Sequence, residues 1–319
     1  MTFSTRRAAR VTPLSPQGRT VCSPPCDSLP PALALAVAWA AFLVHLLSLG
    51  PFSTVPMFEG RTYVLLAGTL LFFLLTLELR DKLSLKGDLE VARQIQFGLL
   101  PFEPYRKDGV SICTAMRPAN TVGGDYFDFL WVSKKSLAIV VADVSGKGVP
   151  AALYMAKLGS DLRTLAFTGG DPAAALSRLN DLLTERSRRG MFATLLYIEL
   201  DARSGTLTMS NAGHLPPMLK RADGSVKKLP AAGGSPLGIL PGMKFGEDTV
   251  ALEKGDTVVL YTDGIVEAMN GNGEIFGFER LIETVRSSDG SADAVMRRVL
   301  DNVHQFCGNS PQHDDLTLI

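Results

Sequence analysis

The chain has 319 residues, 46% of them hydrophobic, and carries 32 basic against 32 acidic side chains. This neutral balance removes any electrostatic case for a nucleic-acid partner. Its four cysteines, Cys22, Cys26, Cys113 and Cys307, show neither a disulfide framework nor the paired CxxC spacing of a zinc site.

Residues 1–30 hold Arg6, Arg7, Arg10 and Arg19 among Pro13, Pro16, Pro24 and Pro25, which predicts a disordered basic tail in which Cys22 and Cys26 are free thiols. Two apolar runs without formal charge follow, 31–49 and 62–77, each near the length of a membrane-spanning helix. Positive charge precedes the first run and follows the second at Arg80, Lys82 and Lys86, so both ends are expected on the cytoplasmic side. The expectation for 31–78 is a transmembrane hairpin in the inner, cytoplasmic membrane, with the remaining domain facing the cytoplasm. Two other readings are weaker. A signal peptide would have a shorter N-region and a small-residue cleavage site, and a soluble buried helix pair is the other alternative. His45, inside the first run, reads as a neutral residue facing the partner helix.

Residues 79–101 predict a charged linker helix with Leu85, Leu89, Ala92, Ile95 and Leu99 on one face, stopped by Pro101. Two readings of the stripe stand: a face packed on the next domain, or the seam of a parallel homodimer.

From residue 105 to 319 strand and helix signals alternate. Strands are expected at 110–117 and 126–132, with 121–124 as the loop between them, and a buried strand at 137–142 stops at Asp143. Pro150 opens a helix, and Asp171-Pro172 caps and opens another. A hairpin over 192–200 and 206–211, a strand at 257–262 and helices at 279–286 and 292–306 follow. Two strand groups with helix pairs between and after them predict an α+β layered sandwich.

Acidic residues gather at strand ends beside glycine. Asp125 follows Gly123-Gly124, Asp143 precedes the Ser145-Gly146-Lys147-Gly148 turn, Asp263 precedes Gly264, and Asp314-Asp315 opens the terminal strand LTLI. Any one of them is ordinary turn chemistry. Together they would repel unless neutralised, and oxygen-only donors suit hard cations such as Mg²⁺ or Mn²⁺.

The ordered series GGDYFDF, VADVSGKGVPAAL, NAGHLPP, SPLGIL, YTDGIVEAMN, FGFERL and HDDLTLI resembles the SpoIIE/RsbU-type branch of the PPM (PP2C-like) serine/threonine phosphatases over about seven-tenths of the chain. The resemblance implies a PPM-type αββα sandwich and two divalent ions, Mn²⁺ or Mg²⁺, that activate a water for phosphate-ester hydrolysis. Carried over motif by motif, Asp125, Asp143, Asp263 and Asp314 are the catalytic ligands and the Val144 carbonyl a further one. Asp315 is placed behind them. It also implies that ARQIQFGLLP is a switch helix and that the substrate is a phosphorylated bacterial regulatory protein, of the STAS anti-sigma-factor-antagonist type. The order Tyr126-Phe127 reverses the commoner GGDFYD, and the sequence ends four residues after Asp315, which predicts a short last strand.

Other residues carry two readings each. Lys147 either faces an incoming phosphate or is solvated. His214 is an acid or a loop-fixing partner, the latter favoured by the Leu215-Pro216-Pro217 that follows. His313 is placed to orient Asp314, and Asp128 points to the other face from Asp125 and reads as structural. A cysteine phosphatase is excluded because six residues beyond Cys113 and Cys307 stand Ala119 and His313, not Arg. A P-loop is excluded because Val141 and Gly148 occupy positions that need Gly and Ser/Thr. Two function classes remain besides the phosphoprotein phosphatase: a PPM fold that binds a partner without turnover, and a phosphatase of small-molecule phosphates.

Overall fold

A computed structural model describes residues 39, 55–167, 171–186, 190–230 and 233–319. The chain divides into two compact units, Met1–Ser84 and Leu85–Ile319. In the first, helix α1 begins (Val55–Gly98). Trp39, from the first apolar run, stacks on Phe72 with ring centroids 5.6 Å apart. The rest of 31–49 lies outside the described residues, whereas 62–77 is helical within α1. Among the described residues no helix is long and apolar enough to cross a membrane.

In the second unit the last turn of α1 packs through Gln96, and Leu100 just after the helix is buried with it. Phe97 stacks on Phe102, which meets Phe127 edge-on. The predicted stripe does not do this: Leu85, Ile95 and Leu99 remain exposed, and the helix ends at Gly98, three residues before Pro101. A hairpin absent from the sequence expectation follows, β1 (Tyr105–Lys107) and β2 (Val110–Ile112). Its turn is Asp108-Gly109, both with positive φ, the signature of a tight two-residue hairpin. The expected strand at 110–117 is therefore interrupted, resuming as β3 (Ala115–Arg117).

Next come β4 (Tyr126–Trp131), β5 (Ser136–Val144), helices α2 (Val149–Phe167) and α3 (Pro172–Arg186), β6 (Ala193–Asp201) and β7 (Thr206–Ala212). After β8 (Met218–Lys220), β9 (Val226–Lys228), β10 (Asp248–Ala251) and β11 (Thr257–Val259), the chain forms α4 (Asp263–Val266), α5 (Gly277–Arg286), α6 (Ala292–Cys307) and β12 (Leu316–Leu318).

One antiparallel sheet has the order β10-β7-β6-β5-β4, with β6 in the middle and β5 between β6 and β4, buried on both faces. The second layer holds β11-β8-β9 and β12-β3, joined where Leu260 and Ile319 exchange backbone hydrogen bonds and Tyr261 bridges to Leu318. The short last strand is thus paired on both sides, down to Ile319.

Three apolar layers hold this arrangement. Met155, Leu158, Leu176 and Leu179 of α2 and α3 pack on the outer face of the five-stranded sheet. Leu137, Val141, Ile198, Leu219 and Leu260 fill the space between the sheets. Leu281, Val285, Val299 and Val303 of α5 and α6 cover the second sheet with Tyr261 and Leu318. Four layers in the order α, β, β, α result, as the α+β sandwich expectation has it.

His214 ties the two sheets together. Its Nε2 donates to the Tyr261 carbonyl at 3.2 Å, leaving Nδ1 to accept the Thr194 hydroxyl at 2.8 Å. Asn211 exchanges hydrogen bonds with the His214 backbone on both sides. Burial lowers its pKa from 6.5 to about 4, so it stays neutral and structural. The unfolded chain takes up the proton first as pH falls through 6.5, so the contribution of His214 to stability is lost below that pH. The stability advantage of wild type over His214→Gln should therefore narrow by about 2 kcal/mol between pH 7 and pH 5 in chemical denaturation. An advantage that does not change with pH would show that the ring is not held neutral.

Candidate active site

The site lies where the ends of β4, β5 and β12 meet the start of α4. Asp125, just before β4, is buried, and its Oδ2 accepts the hydroxyls of Thr262 at 2.8 Å and Thr317 at 2.5 Å. Three segments distant in sequence are thereby fastened to one carboxylate. Thr317 takes part because alternate residues of β12 point to this side.

Asp315 does a related job with backbone donors. Its two oxygens accept the Ala119 and Gly124 amides, each at 2.7 Å, which locks the loop 119–124 against β12. The fit leaves no room for side chains. A Cβ on Gly123 would lie 2.3 Å from the Asp315 carboxylate, and one on Gly264 would lie 2.0 Å from the Asp315 carbonyl. Gly124 is less tightly enclosed, but a Cβ there would still come within 2.9 Å of the Val144 carbonyl. Glycine is thus required at these positions by close approach.

Asp143 stands inside β5, opposite Thr194, since the strand continues to Val144 rather than stopping before it. Burial, and then the charges of Asp263, Asp314 and Asp315, push its carboxyl up to about 7. Burial and the Asp143 charge carry Asp125 well above the ordinary range, against the pull of the two threonine hydroxyls. Asp263 is raised by burial, then by Asp314 and Glu267. Asp315 is raised by burial and drawn back by its amide donors. Asp314 is half-exposed: Oδ2 accepts from Lys147 Nζ at 2.8 Å and Oδ1 from the Asp315 amide at 2.9 Å.

The six residues named from the sequence, Asp125, Asp143, Val144, Asp263, Asp314 and Asp315, thus share one electrostatic neighbourhood. Among the described residues, no three His, Cys, Asp or Glu side chains already converge on a point to cage an ion. Asp315 spends its oxygens on backbone amides, and Asp314 is engaged by Lys147. The donor chemistry nevertheless fits a hard divalent cation: every side-chain donor is a carboxylate oxygen, and the carboxyls, raised first by burial and then by one another's charge, are groups whose ionised form a cation would favour.

Of the remaining residues, His313 contributes its backbone carbonyl, which accepts Lys147 Nζ at 2.5 Å. Asp128 lies apart, buried and bound by the Tyr126 hydroxyl, Arg163 and the Phe129 amide, as a structural ion pair. Three participants escaped the sequence reading: Thr262, Thr317 and Gln96. The Gln96 side-chain amide donates to the Gly123 carbonyl at 2.7 Å and accepts the Gly123 amide at 3.1 Å, clamping the glycine loop from α1. The threonines carried a weak signal, hydroxyls set within otherwise apolar strand ends beside the acids.

The profile of Stage II sporulation protein E (SpoIIE) matches residues 133–319. The phosphoserine phosphatase RsbU of Bacillus subtilis is 32% identical over 239 residues, covering 74% of this chain and 70% of RsbU. Protein IcfG of Synechocystis is 30% identical over 275 residues, 77% of this chain, yet the chain spans only 43% of IcfG. The SiaA-PP2C domain of Pseudomonas aeruginosa superposes with a TM-score of 0.64 at 22% identity, over 75% of this chain and 96% of that domain, and shares the fold.

The raised carboxyls carry a stability consequence. A folded-state pKa above the unfolded value costs stability as pH rises through the window between the two, here from about 4 to about 7 for Asp143. Asp143→Asn should raise the Tm of chelator-treated protein by about 5 °C at pH 8, with the gain shrinking as pH falls from 7 towards 4. A thermal melt showing no gain, or one independent of pH, would contradict the crowding of charge described above.

Proposed function

We propose, because the chain belongs to the SpoIIE family of PP2C-like phosphatases, that it hydrolyses phosphoserine or phosphothreonine on a bacterial regulatory protein. The observation that carries this reading is the convergence of Asp125, Asp143, Asp263, Asp314 and Asp315 on one junction, with charge they do not themselves neutralise. Asp125, Asp143, Asp263 and Asp314, with the Val144 carbonyl, would hold two divalent ions, Mn²⁺ or Mg²⁺. When bound, such ions supply an activated water and neutralise charge on the phosphoryl oxygens. Thr262 and Thr317 fix the position of Asp125, and Asp315 orders the glycine loop behind it. The half-exposure of Asp314 and Lys147 leaves the site open to a protein-borne phosphate. A STAS-type anti-sigma-factor antagonist is the proposed substrate, by the family resemblance.

The proposal extends to the membrane. The runs 31–49 and 62–77, the exposed Leu66, Leu70, Leu71, Phe73, Leu74 and Leu75, and the basic residues that follow support an inner-membrane hairpin with the catalytic domain in the cytoplasm. Input would travel along α1 to the Gln96 clamp on Gly123. The exposed Leu85, Ile95 and Leu99 suit a homodimer seam on the same helix.

Full-length protein in detergent should hydrolyse a phosphothreonine peptide with Mn²⁺ or Mg²⁺, stop with chelator, and lose more than ~100-fold of its turnover in Asp263→Asn. Turnover indifferent to chelator would refute the metal site. Partner binding without turnover, under any metal, would favour the binding module instead. The anchor is checked separately: after an alkaline carbonate wash the chain should stay in the membrane pellet, and its release to the supernatant would rule the hairpin out.

A further inference from the structure

Lys147 is placed in the acidic cluster by a built device. It stands at the tip of the turn between Gly146 and Gly148, whose φ values of 91° and 72° lie in the left-handed region that favours glycine. The turn is pinned at its base, where the Ser145 amide donates to the Phe192 carbonyl at 2.9 Å and the Ser145 hydroxyl accepts the Phe192 amide at 3.0 Å. From there the side chain reaches across to β12 and donates to both the His313 carbonyl and Asp314 Oδ2. Its charge bears on Asp143 and Asp263 as well as on Asp314.

Asp314 has its other oxygen on the Asp315 amide. A cation approaching Oδ2 meets the Lys147 ammonium already bound there, and the two positive charges compete for it. The pair is exposed on both sides, 51% for the lysine and 38% for the aspartate, so it is weak enough to be exchanged. We propose that Lys147 is a built-in counter-ion that competes with a divalent cation for Asp314 and so sets the affinity of that edge of the site. This rests on the metal-site reading above. The arrangement has a use: the ammonium released from Asp314 remains tethered within reach of the same edge, where the phosphate of the substrate brings negative charge.

The test is Mn²⁺ binding by full-length protein, followed by electron paramagnetic resonance and calorimetry without substrate. Wild type should bind Mn²⁺ in a stronger and a weaker step. Lys147→Gln should tighten the weaker step about tenfold or more, and Lys147→Arg, which keeps the charge, should leave it near wild type. In an Asp314→Asn background the Lys147→Gln change should lose most of its effect on the weaker step, keeping only what the lysine charge exerts through Asp143 and Asp263. Circular dichroism establishes that each variant is folded. Unchanged or weaker binding in folded Lys147→Gln, while wild type binds Mn²⁺, would overturn the role of Lys147 alone. Absence of Mn²⁺ binding in wild type and every variant would overturn the metal site with it.

Discussion

The structure depends on holding like charges together. Five aspartates meet where the two sheets of the sandwich join, and no arrangement of carboxylates alone is stable there. The fold answers with uncharged donors: two threonine hydroxyls on Asp125 and two backbone amides on Asp315. Hydrogen bonds of this kind orient a carboxylate without cancelling its charge, so the negative field is kept for use.

The same ties build the sandwich. Asp125 joins the start of β4 to β12 and to the residue before α4, and His214 joins β6 to Tyr261, two residues beyond β11. Apolar packing between the sheets, from Leu137, Val141, Ile198 and Leu260, brings the layers together without fixing their offset. The directional polar contacts fix it. Site and fold therefore share their parts, and a change at one is felt in the other.

Helix α1 reaches this junction through one side chain. Gln96 forms two hydrogen bonds to Gly123, whose neighbour Gly124 donates to Asp315. Further up the helix, among the described residues, Leu66, Leu70, Leu71 and Leu85 are exposed. Such a surface costs stability in water until something covers it.

Much was settled by the sequence alone. Period-two and apolar patterns placed β5, the β6-β7 hairpin and helices at 279–286 and 292–306, found at Gly277–Arg286 and Ala292–Cys307, and the order of motifs carried the family. Asp128 was separable from Asp125 by strand parity, and it lies apart as that parity requires. Local signals failed where pairing is long-range. The strands β8 to β10 are three or four residues long and exist only because neighbours hydrogen-bond to them. The side of α1 that packs is marked by Gln96, with Leu89 and Ala92 half-buried while Leu85, Ile95 and Leu99 are exposed, because burial is decided by what the helix meets, not by its own periodicity. The division of labour among the aspartates was likewise tertiary. Nothing in Asp314-Asp315 says which carboxylate turns to the backbone amides and which to Lys147, since that follows from a loop nearly two hundred residues away.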